Sequence, residues 1–251
     1  MAAKIYHRPN TVTYEGVDAV VGVTSVSVSD GSVILPAIYD DGTLGQMPVA
    51  GAIQGTITGV AGTNPNTLVH GSQAVLGVVA ISINNSAQPR ASLSDAGTVV
   101  VDVSKGFVEV QVTLQDASEA DNLADITTSA DMTFNIVGPD GATDAITIYD
   151  VKTGAASGAY DHSTGGFVVP CVGLSYDTGT PTTKMGLPFD LISMQTTAAK
   201  DITFKVSDEA ETEGTVTISN VKTGGSSANF SYGGVGTVSV NYVGDAASLP
   251  V

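Results

Sequence analysis

Few side chains in this 251-residue sequence could catalyse a reaction or hold a metal, and their spacing keeps them apart. The histidines are His7, His70 and His162. A nucleophile–base pair or a zinc site usually announces itself as an HExxH helix, an i,i+4 histidine pair or a Cys–His cluster. None of these spacings occurs. Cys171, the single cysteine, follows His162 by nine residues within a strand-rich stretch. Each histidine is therefore expected at a surface or turn, and Cys171 as a buried or half-buried thiol rather than a nucleophile. A lone cysteine also excludes an internal disulfide framework.

Oxygen ligands for Ca²⁺ could come from Asp40-Asp41 or from Asp208, Glu209, Glu211 and Glu213. Neither cluster has EF-hand spacing, and solvated turns are expected at both. The glycine-rich stretch Gly154–Gly166 has no Lys-Ser/Thr to complete a phosphate loop and does not precede a helix. Aromatic residues make up 6% of the chain and tryptophan is absent, which argues against a pocket of aromatic anchors. The expectation is a protein without catalytic residues, cofactor or metal.

Charge narrows the partners. Nine Lys and Arg stand against 25 Asp and Glu, a formal net charge of −16. Such a chain cannot grip a phosphate backbone by counterion release. Disorder is excluded as well, because 42% of residues are apolar and 14% charged. No apolar run approaches the roughly 18 residues of a membrane helix. Met1 to Pro9 has no apolar core of the kind a secretory signal carries, so none is expected.

The elements available to position any site are strands. Val26 and Val28 alternate with serines, and Val108, Val110, Val112 and Leu114 with Glu109, Gln111 and Thr113. Val216 and Ile218, then Val238, Val240 and Tyr242, do the same. A period of two with one polar face predicts half-buried antiparallel strands. Asp41-Gly42, Asp140-Gly141, Gly165-Gly166 and Gly233-Gly234 supply turns. Pro170, inside a strand-like run, predicts an edge or a bulge. One helix is expected over Asp116–Ile126, capped by Ser118, with Leu123 and Ile126 facing inward. Its counterpart near Leu187–Met194 reads as poorly helical.

Two internal repeats organise the chain. At a register of 55, Gly16-Val-Asp-Ala-Val-Val-Gly-Val-Thr-Ser-Val-Ser-Val-Ser29 lies over Gly71-Ser-Gln-Ala-Val-Leu-Gly-Val-Val-Ala-Ile-Ser-Ile-Asn84. These segments are A1 (about 9–60) and A2 (about 65–115). At a register of 70, Asp131-Met-Thr-Phe134 matches Asp201-Ile-Thr-Phe204, and Val151-Lys-Thr-Gly154 recurs as Val221-Lys-Thr-Gly224. These are B1 (about 126–177) and B2 (about 196–247). In this register Cys171 falls on Asn241. A tandem duplication would give the order A-B-A-B. The order A1-A2-B1-B2 fits one A-B unit inserted into another, which a surface loop tolerates when the insert's termini lie close. The outer unit is then 1–62 plus 190–251, the inner unit 65–177, and 178–189 a linker. The alternative pairs A1 with A2 and B1 with B2.

The A pattern is Val-Thr-Ser-Val-Ser-Val-Ser, an Asp-Gly-containing hairpin, then Gly51-Ala-Ile-Gln-Gly-Thr-Ile-Thr-Gly. The B pattern is a short helical or linking stretch, Asp-Met-Thr-Phe-Asn-Ile, Ala-Ile-Thr-Ile-Tyr-Asp-Val-Lys-Thr-Gly, and a last strand such as Gly236-Thr-Val-Ser-Val-Asn-Tyr-Val-Gly. Taken in order, A then B resembles the tail tube proteins (major tail proteins) of tailed bacteriophages, over most of both units. The resemblance implies an all-β fold of two β-sandwich or barrel units with at most one or two short helices. It implies a structural virion protein, assembled in the host cytoplasm, whose trimeric pseudo-hexameric rings stack into the hollow tail through which DNA passes. The partners implied are further copies of the chain, tail tip or baseplate and terminator proteins, and a tape measure protein. DNA would pass through the lumen without specific binding. The family touches the next ring with a long hairpin. By position these hairpins are Ile34–Val49 and Asn84–Thr98, with contact candidates Ile34, Tyr39, Asp40, Asp41, Leu44, Met47, Arg90, Leu93 and Asp95. The N-terminal arm, Met1 to Pro9, is another candidate for reaching an adjacent ring. A capsid decoration protein, a surface-layer or adhesin-type protein, and an enzyme or ligand binder on a β-scaffold are the alternative readings.

Overall fold

The strand-forming alternation becomes structure along almost the whole described chain. The computed structural model describes residues 6–14, 23–31, 33–38, 44–49, 51–63, 68–94, 98–104, 106–137, 143–159, 166–177, 199–208, 213–231 and 233–248. First comes β1 (Tyr6–Tyr14). Segment A1 then forms β2 (Val23–Asp30), β3 (Val33–Ile38), β4 (Leu44–Val49) and β5 (Ile53–Thr63). A small hairpin, β6 (Leu68–His70) and β7 (Gln73–Val75), leads into A2. There the strands are β8 (Val78–Asn85), β9 (Pro89–Leu93), β10 (Val99–Val103) and β11 (Val108–Leu114), followed by the helix α1 (Ala117–Ala124). Segment B1 holds β12 (Ala130–Val137), β13 (Thr143–Thr153), β14 (Ser157–Ala159), β15 (Gly166–Gly173) and β16 (Ser175–Asp177). Segment B2 holds β17 (Lys200–Asp208), β18 (Glu213–Ser231), β19 (Val235–Gly244) and β20 (Ala246–Ser248). Among the described residues the chain is all-β apart from α1, and its sheets are antiparallel.

Strand pairing follows one plan twice. Strand β1 pairs with β17 so that Val12 faces Phe204 and Tyr14 faces Ile202. Strand β6 pairs with β12 so that Leu68 faces Phe134 and His70 faces Met132. In A1, β2 pairs with β5 and places Asp30 opposite Ile53; in A2, β8 pairs with β11 and places Asn85 opposite Val108. Strand β5 then pairs with β19, and β11 with β15. The hairpins β3–β4 and β9–β10 also share a register: Ile38 faces Leu44, and Leu93 faces Val99. The strand that precedes β2, β1, therefore pairs into B2, and the strand that precedes β8 at the matching place, β6, pairs into B1.

The core forms where the apolar faces of these layers meet. Val108, Val110, Val112 and Leu114 are buried while Glu109 and Gln111 are exposed, so the period of two corresponds to the two faces of β11. Ile57, Ile146, Phe134, Ile218, Phe230 and Val240 belong to the same buried cluster. Phe134 and Phe230 meet edge to face, with centroids 5.6 Å apart. Gly233, at φ +71°, turns β18 into β19, as the Gly-Gly pair predicted.

Several local expectations change. The cap of α1 is Asp116, not Ser118. Its extended backbone stands outside the helix while its carboxylate accepts from the Ser118 N–H at 2.8 Å and the Ser118 hydroxyl at 2.9 Å. These bonds, the backbone one first, hold the Asp116 carboxyl below its ordinary range. Lowering the pH should therefore loosen the helix. The stabilisation is complete above the unfolded carboxyl pKa and is lost as pH falls through the lowered one. Asp116→Ala should lower Tm at neutral pH and flatten that acid dependence, whereas Asp116→Asn, still an acceptor, should keep most of the Tm; calorimetry across pH checks both. Within the helix Leu123 is buried as expected, while Ile126 lies beyond its end and is half-buried. The A2 hairpin runs from Pro89 to Val103, and Asn84 belongs to β8 instead. Strand β15 has neighbours on both sides, and Pro170 sits opposite the break between β13 and β14, where an N–H is not needed.

Cys171 takes the place of Tyr242 rather than Asn241. Cys171 pairs with Val110 and Tyr242 with Gly55, because B2 has one more residue before its last strand ends. Gly173 and Gly244 mark that shift: each abuts the same trio, Ile148, Tyr149 and Val151 or Ile218, Ser219 and Val221. Leu187–Met194 lies outside the described residues.

Candidate functional site

Among the described residues, those with chemical potential are not gathered. His70 is buried in the core, not at a surface or turn, because the short alternation of β6 points it inward together with Leu68. Its Nε2 lies 3.2 Å from the Val151 carbonyl oxygen. A carbonyl oxygen only accepts, so Nε2 carries the proton of this bond. His70 borders a cleft of about 810 Å³ beside α1, whose rim carries Glu119, Asn122 and Asp125. Among the described residues, no thiol and no second histidine line it. Cys171 is 2% exposed, with its thiol 3.6 Å from the Val169 carbonyl oxygen. Burial pushes its pKa up to about 12, so it remains a neutral thiol at physiological pH. A thiol reagent at pH 8 should leave the native chain unlabelled and label it once after unfolding; mass spectrometry checks this. Among the described residues, no group of three or more His, Cys, Asp or Glu is placed to hold a metal ion. His162, Asp40, Asp41, Glu209 and Glu211 lie outside the described residues, as does the side chain of His7.

The feature that stands out is a run of eight antiparallel strands, in the order β2-β5-β19-β18-β8-β11-β15-β14. It consists of two four-strand groups, β2-β5-β19-β18 and β8-β11-β15-β14. They are joined edge to edge where Ser227–Ser231 of β18 pairs with Ala80–Asn84 of β8. One face of the run packs on the core. The other carries Ser27, Thr56, Ser239, Ser227, Ser82 and Gln111, with like residues beside them. Cross-strand bonds knit this face, including Thr56 Oγ1 to Asn241 Oδ1 at 3.0 Å and Asn84 Nδ2 to Glu109 Oε2 at 3.2 Å.

The charge of this run could not be read without its topology. No Lys or Arg occurs in β2, β5, β8, β11, β14, β15, β19 or the Ser227–Ser231 portion of β18, and only Asp30 and Glu109 are acidic. The charge lies elsewhere, with Asp116, Glu119, Asp121 and Asp125 at α1 and Asp131 and Asp201 on β12 and β17.

The hairpin β9–β10 crosses the joint. It packs on β18 and β19, and a side chain at Gly224 would meet Pro89 and Val103. Asp102 of β10 reaches Lys222 of β18 at 3.4 Å, and its carboxyl is held low by the Val103 N–H and by that ammonium. Of the hairpin contact candidates, Arg90 is exposed and pairs across β9–β10 with Asp102. Ile34, Leu44 and Met47 are placed on β3–β4 and Leu93 on β9, by backbone alone. Tyr39, Asp40, Asp41 and Asp95 lie outside the described residues.

No protein-family model matches the chain, and no curated protein matches it either. No helix among the described residues is long and apolar enough to cross a membrane.

Proposed function

We propose that this chain is a structural virion protein of the tail tube kind. Three copies close a pseudo-hexameric ring, and rings stack into a hollow conduit for DNA. The observation that carries the reading is the eight-strand run: two similar four-strand groups joined laterally, with a polar face whose one cation among the described residues, Lys222, is paired with Asp102. Head-to-tail repetition of one joint closes rings. A duplex sliding past needs a wall that offers its phosphates no ammonium or guanidinium. On this face the one ammonium among the described residues, Lys222, is paired with Asp102, and the chain's net charge of −16 repels phosphate over a reach of about 8 Å at physiological salt.

Nesting is part of the proposal. The pairings of β1 with β17 and of β6 with β12 support an outer unit of A1 with B2 and an inner unit of A2 with B1. The chain then supplies two of six positions in a ring, and no residue acts catalytically. Its partners are further copies of itself, terminator and tip proteins at the tube ends, and a tape measure protein and passing DNA inside.

Electron microscopy of the purified protein at rising concentration tests the reading. Hollow rings or tubes with six lobes in end-on view are the expected result. Solid trimers or flat sheets without a hole would shift the assignment to a decoration or surface-layer protein.

A further inference from the structure

The joint inside the chain is a template for the joint between chains. Where β18 covers β8, Ile83 is 4% exposed; at the matching place on β2, Val28 is 39% exposed. Val28 pairs with Gly55 as Ile83 pairs with Val110. Among the described residues, β2 has a paired neighbour only on its β5 side, and β14 only on its β15 side. The second half of the joint shows the same contrast. Val243 pairs with Gln54 and Lys222 where the β9–β10 hairpin packs, and is 4% exposed. Val172 pairs with Glu109 and Lys152 in the same way and is 48% exposed. Each end of the chain thus lacks the element that the internal joint supplies, and the two ends are complementary.

Resting on the ring reading above, we infer that a second copy docks here: β2 of one chain pairs antiparallel with β14 of the next, and hairpin β3–β4 folds over that neighbour's Val172. The internal registers fix the contacts. Asn84 faces Ser227 and Ile83 faces Ala228 inside the chain. The equivalent pairs between chains are Ser29 with Ser157 and Val28 with Gly158. Likewise the paired positions Pro89 and Val103 meet Gly224, so the paired positions Ile34 and Pro48 come to Gly154 of the neighbour. Strand addition supplies backbone hydrogen bonds, and the hairpin covers apolar surface. This gives β3–β4 a lateral role within a ring, in contrast to the axial role that the family resemblance implies. One position is not reproduced: Met47 stands where Asp102 stands, so the Asp102–Lys222 ion pair has no counterpart at Lys152.

The test is disulfide trapping in the full-length chain. Ser29→Cys with Ser157→Cys, oxidised mildly at assembling concentrations, should give a ladder on a non-reducing gel ending at a closed trimer, with the 29–157 bond confirmed by peptide mass. Each single variant should give no ladder. Asn84→Cys with Ser227→Cys is the internal control and should form the same bond within one chain. In the unmodified chain, amide exchange in β2 should slow roughly tenfold or more on assembly while β8 stays unchanged. A 29–157 bond within one chain, unchanged β2 exchange in assembled material, or a chain that stays monomeric to its solubility limit would overturn the proposal. Hollow rings without the bond would keep the conduit and sink the joint. Bonded open ribbons without a hole would keep the joint and sink the conduit.

Discussion

Deletion of Ile34–Val49 should leave a folded chain that no longer forms rings. The hairpin β3–β4 is a separate two-stranded sheet, so its removal takes no strand from the core. Its roots are already held together: Asp30 pairs with Ile53, and the Gly31 N–H donates to the Ala52 carbonyl at 3.0 Å. The shortened connection needs only a few residues to close that gap, and closing a short loop between paired strand ends carries little entropic cost. Tm should therefore move by only a few degrees, while sedimentation and microscopy should show loss of ring assembly. Deletion of Pro89–Val103 should do the reverse of mild. It uncovers Val243 and Gly224 and removes the Asp102–Lys222 pair inside one molecule, so it should lower Tm before it alters assembly. Two hairpins of like register thus give opposite phenotypes, because one contact is intramolecular and the other is between chains. Normal rings that fail to stack after the first deletion would return β3–β4 to an axial role.

The sequence was informative where burial follows a period of two. Val108 to Leu114 and Val238 to Tyr242 show their faces in the residue pattern alone, and the 55 and 70 registers anticipate strands that recur as β2 and β8 or β12 and β17. The features it hid depend on contacts distant in sequence. Ser118 is a reasonable cap by type, but Asp116, two residues past the end of β11, holds the extended geometry a cap needs. His70 looked solitary and polar, yet Val151, 81 residues away, supplies its partner. The one-residue slip that moves Cys171 onto Tyr242 shows in no local motif, because the glycines that report it are judged only by what lies above them. The neutral face is the clearest case. Net charge shows the sign of the whole chain, whereas the absence of Lys and Arg from seven strands and the Ser227–Ser231 end of β18 became legible only after their order was known.

Gly55→Val should be among the most damaging single substitutions in the core, and its cost should depend on Tyr242. Gly55 of β5 lies beneath the Tyr242 ring, and any side chain there would fall on that ring and on the Ser27 carbonyl. The Tyr242 hydroxyl, 2.6 Å from that same carbonyl oxygen, donates to it and ties β19 to β2 across β5; burial raises its phenol pKa. The matching place in A2 and B1 holds Val110 opposite Cys171, a medium pair where the other is a small–large pair. Volume is thus shared differently across the same two strands. Overpacking costs about 1–3 kcal/mol and sometimes more, and the backbone contact at Ser27 sets Gly55→Val at about 3 kcal/mol or above, a Tm drop on the order of 10 °C. Tyr242→Cys alone empties the ring's space and should cost about 3–5 kcal/mol. The double variant, which recreates the Val–Cys pair, should be more stable than the sum of the two losses, since each change relieves the fault of the other. Chemical denaturation of the four proteins reads that coupling directly. Strict additivity would mean that Ser27, rather than Tyr242, is the wall that excludes a side chain at position 55.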